Sequence, residues 1–473
     1  MRTGFTDEVK AMTHQDSPLG TAPVGKLVLQ LAIPAMLAQF VNILYSVVDR
    51  MYVGHIANAG DAALAGVGVC APVVTMITAL GALIGFGGGP LMSIRMGRRD
   101  MDGARQIVAN SFYLLLALSV MATVPLLVFR RQILFTFGCS EALWEYAEAY
   151  FTTYVSGTVF AVMSYGLNQI TMSQGFASTA MRSVMLGAAV NIALDPVFIF
   201  VLNMGVRGAA LATVIGQIFG MALGLWGVFR HQKVLNVNMK AFKWNRGTVG
   251  DIYRVGLPGI VMQSVVSVMT AGMNGILIAF SQTAVNVLGV YFKLQTFVFM
   301  PVFGLNQGAL PVMGYNYGAR NRRRLMGAYR ITLTAAVVIM ALGLVLFQLL
   351  PEQMLMLFVD RTDAAAAQEM IEVGVPALKT ISLSFLGAAF GIINSTLFQA
   401  TARGMNSLIV SVCRQLVVIL PAAWILGQQF GLNAVWYAFP IAEVASFFIS
   451  YILLWREYRT ELRFLGTEKE KKA

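Results

Sequence analysis

Residues 107–129 read IVANSFYLLLALSVMATVPLLVF, a continuous apolar run that contains no charged side chain. A hydrocarbon core about 30 Å thick is crossed by a helix of about 20 apolar residues. A membrane strand would instead give a short segment of alternating polarity. This run therefore predicts a transmembrane helix.

Outward from this run, the chain offers eleven further stretches of the same kind, at 27–53, 62–90, 147–173, 183–203, 208–229, 255–280, 284–313, 331–350, 369–399, 406–427 and 432–455. Of the 473 residues, 57% are hydrophobic and 12% are charged, against about 25% charged residues in an ordinary globular chain. So little polar surface excludes a soluble enzyme and a free nucleic-acid binder. We predict an all-α polytopic membrane protein with twelve transmembrane helices.

The distribution of positive charge predicts the sidedness of the chain. Lys and Arg total 34 against 22 Asp and Glu, a net charge of +12. With the amino terminus inside, 26 of the 34 cations fall on the cytoplasmic side, four fall outside, and four lie within or at the edges of spans. Cytoplasmic loops carry this kind of excess. We expect a multi-pass protein of the cell (inner) membrane with both termini cytoplasmic and no signal peptide.

The two halves of the chain repeat one another at a nearly constant sequence separation. Pro34 in LAIPAMLAQF corresponds to Pro258 in VGLPGIVMQS, and Asn191 corresponds in the same way to Gln415. Two pseudo-symmetric six-helix bundles around a central cleft are the architecture that alternating access uses, although channels and membrane scaffolds are also duplicated. The predicted segments are a cytoplasmic tail (1–26), an N-terminal lobe (27–229), a cytoplasmic basic linker (230–250), a C-terminal lobe (251–455) and a charged cytoplasmic tail (456–473).

Acidic residues inside the spans indicate where the chemistry lies, because a carboxylate in hydrocarbon needs a cavity, a partner or a cation. Asp49 lies late in the first span, and Asp195 lies in the fifth, one helical turn after Asn191. Pro196 leaves a backbone carbonyl free, and Thr213 adds a hydroxyl in the sixth span. Such a set of oxygens binds either Na⁺ or a proton shared by two acids. The alternatives are a hydrogen bond that only joins helices, or Asp49 at the external interface beside Arg50.

Three motifs resemble the multidrug and toxic compound extrusion (MATE) transporters. They are SVVDRMYVGHI with ALAGVG, NIALDPVFIF with GVRGAALATVIGQ, and GLNQGALPVMGYNYGARN. The resemblance covers about residues 25 to 455. It implies a twelve-helix, two-lobe antiporter that exchanges Na⁺ or H⁺ for organic compounds. In the similar DinF-type branch the coupling cation binds in the N-terminal lobe, at positions that correspond here to Asp49, Asn191, Asp195 and Thr213.

Members that resemble the vibrio-type branch carry acids in the seventh and tenth spans, whereas the seventh span here has none and Glu369 and Glu372 lie only at the edge of the tenth. The resemblance also implies that Pro34 is a hinge of the first helix, although a static kink fits equally well. Polar side chains in the C-terminal lobe are candidates to line the substrate cleft, namely Gln263, Asn274, Lys293, Gln307, Asn394 and Glu443. Lys293 fits snorkelling to an interface equally well, and Glu443 fits pairing with a neighbouring helix.

No enzyme is predicted, because the three histidines, His14, His55 and His231, lie outside the centres of spans and away from the cysteines. The sequence contains no nucleotide motif, so transport is expected to use an ion gradient. The predicted partners are the bilayer and small organic, often cationic and lipophilic, substrates. We expect no cofactor other than the coupling ion, no nucleic acid and no obligatory protein partner. The alternative function is a flippase for a lipid-linked oligosaccharide or a related amphiphile.

Overall fold

The computed structural model describes residues 17–56, 59–228, 244–358 and 364–466, and over these ranges the chain forms helices and turns without a strand. Each predicted span corresponds to one membrane helix, and the all-α, twelve-helix fold is confirmed. The membrane helices are α1 Val24–Gly54, α2 Gly60–Gly97, α3 Met101–Val128, α4 Trp144–Ser156 with Thr158–Ser173, α5 Ala177–Pro196 with Val197–Val201, α6 Val206–Trp226, α7 Arg246–Leu277, α8 Gln282–Gly318, α9 Arg322–Leu349, α10 Ala364–Ser382 with Phe385–Ala400, α11 Gly404–Val412 with Cys413–Val418 and Ile419–Phe430, and α12 Leu432–Val435 with Ala438–Glu457 and Tyr458–Leu462. Short helices also lie at Pro18–Thr21, Arg130–Thr136 and Pro351–Met356.

Several membrane helices are interrupted. Among the twelve membrane helices, ten are each long and apolar enough within the described ranges to cross a bilayer. The two parts of α10, bent by 47°, together make an eleventh. The remaining helix, α4, is divided at Gly157 into parts of 13 and 16 residues. Single π-helical segments lie in α5 at Val197–Val201, in α11 at Cys413–Val418 and in α12 at Tyr458–Leu462.

Large apolar side chains are exposed along the helices. Met121 is 70% exposed and Leu342 is 67% exposed. Water is a poor solvent for so much apolar surface, whereas lipid tails solvate it without cost. The chain is therefore a multi-pass membrane protein.

The chain divides between Gly256 and Leu257, inside α7, into two compact units. Unit 1 contains α1 to α6 and the start of α7, and unit 2 contains the remainder. Most of the predicted linker at 230–250 lies outside the described residues, as do 1–16 and 467–473 of the predicted tails. The predicted tail from 456 begins inside α12, which continues to Leu462.

Charged side chains hold the end of α12 in place. Arg403, between α10 and α11, pairs with Glu457 at 3.4 Å and also with Glu461. Thr401 donates a hydrogen bond to Glu457 at 2.9 Å, and Tyr317 donates one to Glu461. These contacts explain why the helix runs past the end of its apolar sequence, since hydropathy does not register ion pairs.

In unit 1, α5 and α6 cross in direct backbone contact. A Cβ atom on Gly216 would stand 2.5 Å from the carbonyl oxygen of Gly187, and one on Gly187 would stand 2.9 Å from the carbonyl oxygen of Gly216. Only glycine permits this approach, which is typical of packed membrane helices. The crossing lies one turn from Asn191 on α5 and one turn from Thr213 on α6, and α1 packs along the same α5.

Candidate cation-coupling site

Three predicted site residues lie together on α5 and α6. The Nδ2 atom of Asn191 donates to Asp195 Oδ1 at 3.3 Å and to Thr213 Oγ1 at 3.2 Å. Thr213 in turn donates to the carbonyl oxygen of Ala209 at 3.0 Å. Asn191 and Asp195 are buried, at 2% and 0% exposure. The amide donor thus orders the three side chains and leaves their remaining oxygens for another group.

Four buried side-chain oxygens at this site have no hydrogen-bond partner within the described part of the chain. They are Asp49 Oδ1, Asn191 Oδ1, Asp195 Oδ2 and Gln217 Oε1. Buried polar atoms are nearly always paired, because an unpaired one costs about 1–3 kcal/mol. All four atoms are acceptors, so the group that would satisfy them is a cation or a proton donor.

Asp49 contributes the second carboxyl group from α1. It is half-buried and close enough to Asp195 and Tyr150 for electrostatic interaction with each. Two ionised carboxylates in a medium of low dielectric repel each other strongly. The repulsion is relieved when a monovalent cation lies between them or when one acid binds a proton, and either event changes the charge of the site by one unit.

Sequence analysis missed Gln217 and Tyr154. Gln217 follows Thr213 by four residues on α6, so both side chains share one helical face, and its Nε2 atom donates to the Tyr154 hydroxyl at 3.2 Å. Tyr154 stacks on Tyr150 with ring centroids 6.0 Å apart. The spacing from Thr213 could have identified Gln217. The two tyrosines were not identifiable, because their proximity depends on how α4 packs against α6.

The two prolines singled out in the sequence, Pro196 and Pro34, differ in their surroundings. Pro196 ends the regular part of α5 and is followed by the π-helical segment Val197–Val201. Pro34 is buried inside α1, which runs without interruption from Val24 to Gly54. The hinge predicted at Pro34 is therefore continuous helix in this conformation.

The predicted cleft residues of unit 2 differ in exposure and in their contacts. Gln263 is exposed, and Asn274 and Gln307 are half-buried. Lys293 is exposed, with its Nζ atom 5.5 Å from the ring centroid of Phe358. These four side chains are available to a ligand or to lipid.

Asn394 and Glu443, the other two cleft candidates, are engaged within unit 2. The Tyr329 hydroxyl donates to Asn394 Oδ1 at 2.7 Å, and Asn394 Nδ2 donates to Ser450 Oγ at 3.0 Å. Asn394 is 2% exposed, so in this conformation it joins α9, α10 and α12 and does not line an open cleft. Glu443 forms an ion pair with Arg414 at 3.2 Å.

Twelve membrane helices with a buried cluster of unpaired oxygens are typical of multi-pass membrane transporters. The MatE family model matches this chain twice, at residues 34–197 and 258–425. The two matches begin at Pro34 and Pro258, which are the first pair of corresponding residues in the internal repeat. The chain belongs to the MATE family of transporters, and its members are not enzymes.

Individual members of the family are similar to this chain over nearly its whole length. The multidrug export protein MepA of Staphylococcus haemolyticus is 24% identical over 430 residues, which cover 91% of this chain and 93% of MepA. A crystal structure of MATE in the straight conformation has a TM-score of 0.85 and 28% identity, covering 94% of this chain and 98% of that chain. A MATE structure in the bent conformation gives 0.85 and 27%, with 93% and 96% covered.

Proposed function

We propose that this protein is a multidrug efflux antiporter, which exports small organic compounds in exchange for Na⁺ or H⁺ that enters the cell. The cluster of unpaired buried oxygens in unit 1 carries the proposal, because a cation or proton that binds there and leaves again can couple transport to an ion gradient. The similarity to MepA, a multidrug export protein, supports the substrate class.

The proposed coupling residues are Asp49, Asn191, Asp195 and Thr213, with Gln217 as an additional ligand. When the coupling ion is bound, it neutralises the repulsion between the two carboxylates. When it leaves, the site regains a negative charge that attracts either another ion or a cationic substrate. Each charge that crosses the membrane supplies about 2.3 kcal/mol per 100 mV of potential.

Alternating access by two six-helix lobes, 27–229 and 251–455, is part of the same proposal, as is location in the cell membrane with both termini cytoplasmic. The excess of Lys and Arg in the two tails and in the loops that follow the second, fourth, sixth, eighth and tenth spans supports this orientation. Pro34 is retained as the proposed hinge of α1, since an internal proline lacks one backbone hydrogen bond and weakens the helix there. The MATE structures in straight and bent conformations are consistent with more than one conformation in this family.

The alternative of a lipid-linked oligosaccharide flippase receives less support. A pyrophosphate head group needs several unneutralised cations, whereas Arg414 is paired with Glu443. The unpaired carboxylate oxygens of unit 1 would repel such a substrate.

Counterflow in proteoliposomes tests the proposal. The purified protein is reconstituted with an imposed Na⁺ gradient or an imposed pH gradient, and efflux of a lipophilic cation is followed. We expect the parental protein to move the compound against its gradient and Asp49→Asn and Asp195→Asn to lose gradient-driven efflux. Each variant should keep the melting temperature and the membrane insertion of the parent.

Asp61→Asn is the matched control, because Asp61 is an exposed carboxylate at the start of α2. It should transport at the parental rate. Efflux at the parental rate in both Asp49→Asn and Asp195→Asn would contradict the proposed coupling site. Efflux by the parental protein that depends on neither gradient would contradict antiport.

A further inference from the structure

The last two turns of α12 carry both signs of charge, and the structure separates them onto opposite faces. Residues 455–463 read WREYRTELR. Glu457 and Glu461 face the interior of unit 2, where both pair with Arg403. Thr401 adds a hydrogen bond to Glu457 at 2.9 Å. The two acids are thus balanced by a residue outside their own helix.

The arginines of the same segment lie on the other face. Arg456, Arg459 and Arg463 follow one another at steps of three and four residues, which brings side chains to one side of a helix. All three are exposed. None of their guanidinium groups forms an ion pair with a residue that the structure describes, because the neighbouring acids are held by Arg403. We call these three residues the basic stripe.

The basic stripe continues the apolar outer face of α12. Phe448, Ile452 and Trp455 are exposed, and steps of four and three residues join them, with a further step of four to Arg459. At 1.5 Å per residue, Arg459 lies about 10 Å beyond Ile452 along the axis. Its guanidinium carbon is 3.8 Å from the ring centroid of Trp455, and tryptophan is enriched at the level of the lipid headgroups. The basic stripe therefore lies at headgroup depth on a lipid-facing surface.

Other parts of unit 2 hold the backbone of the basic stripe in place. Tyr317, at the end of α8, donates a hydrogen bond to Glu461. Arg322, at the start of α9, lies over the ring of Tyr458 with its Cζ atom 5.2 Å from the centroid. It also donates to the carbonyl oxygen of Arg463 at 3.3 Å. This segment is thus ordered before a ligand binds, which lowers the entropic cost of binding.

We propose that the basic stripe binds the phosphate group of an anionic phospholipid, in the leaflet that the charge distribution predicts to be cytoplasmic. Guanidinium groups match the unesterified oxygens of a phosphate, and basic residues beside a membrane helix are attracted to an anionic leaflet. Because the basic stripe has no acid of its own, it favours a headgroup with net negative charge over phosphatidylcholine, whose trimethylammonium group it repels. The inference goes beyond the proposed export function and does not depend on it.

Lipid binding to the purified full-length protein tests this inference. The protein in detergent micelles is titrated with dioleoyl phosphatidylglycerol or dioleoyl phosphatidylcholine, and native mass spectrometry measures the bound fraction. Each basic residue at an anionic surface contributes about fivefold in affinity, so contact with two arginines gives a preference of about 25-fold for phosphatidylglycerol. The triple variant Arg456→Gln, Arg459→Gln and Arg463→Gln should bring this preference below about threefold.

Two further triple variants complete the test. Replacement of the same three arginines by lysine keeps the charge and should keep most of the preference. The matched control replaces Arg182, Arg246 and Arg254 of unit 1 by glutamine. These arginines are also exposed, so the control removes the same charge elsewhere and should bind both lipids as the parent does.

A parental preference near one would overturn the inference, as would an equal loss of preference in the two glutamine variants. Displacement of phosphatidylglycerol by the same concentration of glycerol phosphate would assign the basic stripe to a soluble anion and would also overturn it. Because no transport is measured, failure of the proposed antiport leaves the lipid result unaffected.

Discussion

The hydrogen bonds of Asn394 predict a role in stability and not in substrate binding, and substitution separates the two roles. Its side chain bridges three helices of unit 2, accepting from Tyr329 at 2.7 Å and donating to Ser450 at 3.0 Å. We expect Asn394→Leu to destabilise the protein and to leave substrate affinity within about twofold of the parent, because a buried residue that uses both polar atoms has little to offer a ligand.

The expected loss of stability follows from the hydrogen bonds of Asn394. Hydrogen bonds between membrane helices contribute about 0.6 kcal/mol on average and up to about 1.7 kcal/mol. Tyr329→Phe removes one bond and leaves Asn394 Oδ1 unpaired, for a cost of about 1 kcal/mol. Asn394→Leu removes two bonds, but Ser450 also donates to the carbonyl oxygen of Phe447 at 3.1 Å and stays satisfied. Two lost bonds of this strength therefore give a cost of about 2 kcal/mol for Asn394→Leu.

A double-mutant cycle on Tyr329 and Asn394 tests this contact directly. Because the Tyr329 hydroxyl has lost its partner in Asn394→Leu, adding Tyr329→Phe should cost almost nothing more, which gives a coupling energy of about 1 kcal/mol. Unfolding is followed by denaturant titration in detergent micelles. Tyr437→Phe, which alters a tyrosine that is 52% exposed, is the control and should be neutral. Additive single effects, or a large loss of substrate affinity in Asn394→Leu, would refute the structural role.

Three further predictions concern the site and the loops. Gln217→Leu should weaken binding of the coupling ion about tenfold, because it removes one unpaired oxygen, and should leave the melting temperature nearly unchanged. An unchanged ion dependence of counterflow would exclude Gln217 as a ligand. Asn274→Ala should leave the ion to substrate stoichiometry as it is, since α7 carries no acid in its membrane part, and an altered stoichiometry in proteoliposomes would contradict this. At the start of α3 the backbone N–H of Gly103 donates to Asp100 at 2.9 Å and holds the pKa of Asp100 below its usual value of 3.8. Asp100→Ala should therefore cost about 1 kcal/mol at pH 7. That difference should shrink in unfolding titrations as the pH falls below 3.8, because a carboxylate with a lowered pKa loses its stabilisation on protonation in the folded state; a difference independent of pH would rule out the charged cap.

Hydropathy predicted every membrane helix of this protein but none of the breaks within them. A sliding count of apolar residues sees 147–173 as one span, whereas the helix is interrupted at Gly157, where a Cβ atom would stand 2.4 Å from Val214. The break depends on the approach of another helix, which composition does not record. The π-helical segments of α5 and α11 are likewise changes of helical phase without a change of polarity.

Local spacing was informative for the site within one helix and uninformative between helices. The four-residue step from Asn191 to Asp195 predicted a shared face, and the two side chains are hydrogen-bonded. The pair formed by Arg414 and Glu443 joins α11 to α12. Sequence analysis identified Glu443 as a polar group near the membrane and could not choose its partner, because the choice depends on the rotation of each helix about its axis.

The internal repeat offers a physical reason why coupling is proposed for only one of the two units. In unit 1 neither Asp49 nor Asp195 forms an ion pair with a residue that the structure describes, so the site has a net negative charge that a Na⁺ ion or a proton can neutralise. In unit 2 the charge of Glu443 is already balanced by Arg414. A coupling ion would therefore gain little there. Arg414→Met should therefore create a second ion-dependent step in counterflow, because it leaves Glu443 as an uncompensated acid. An unchanged ion dependence in Arg414→Met would mean that access to the site, and not its charge balance, keeps the coupling ion away from unit 2.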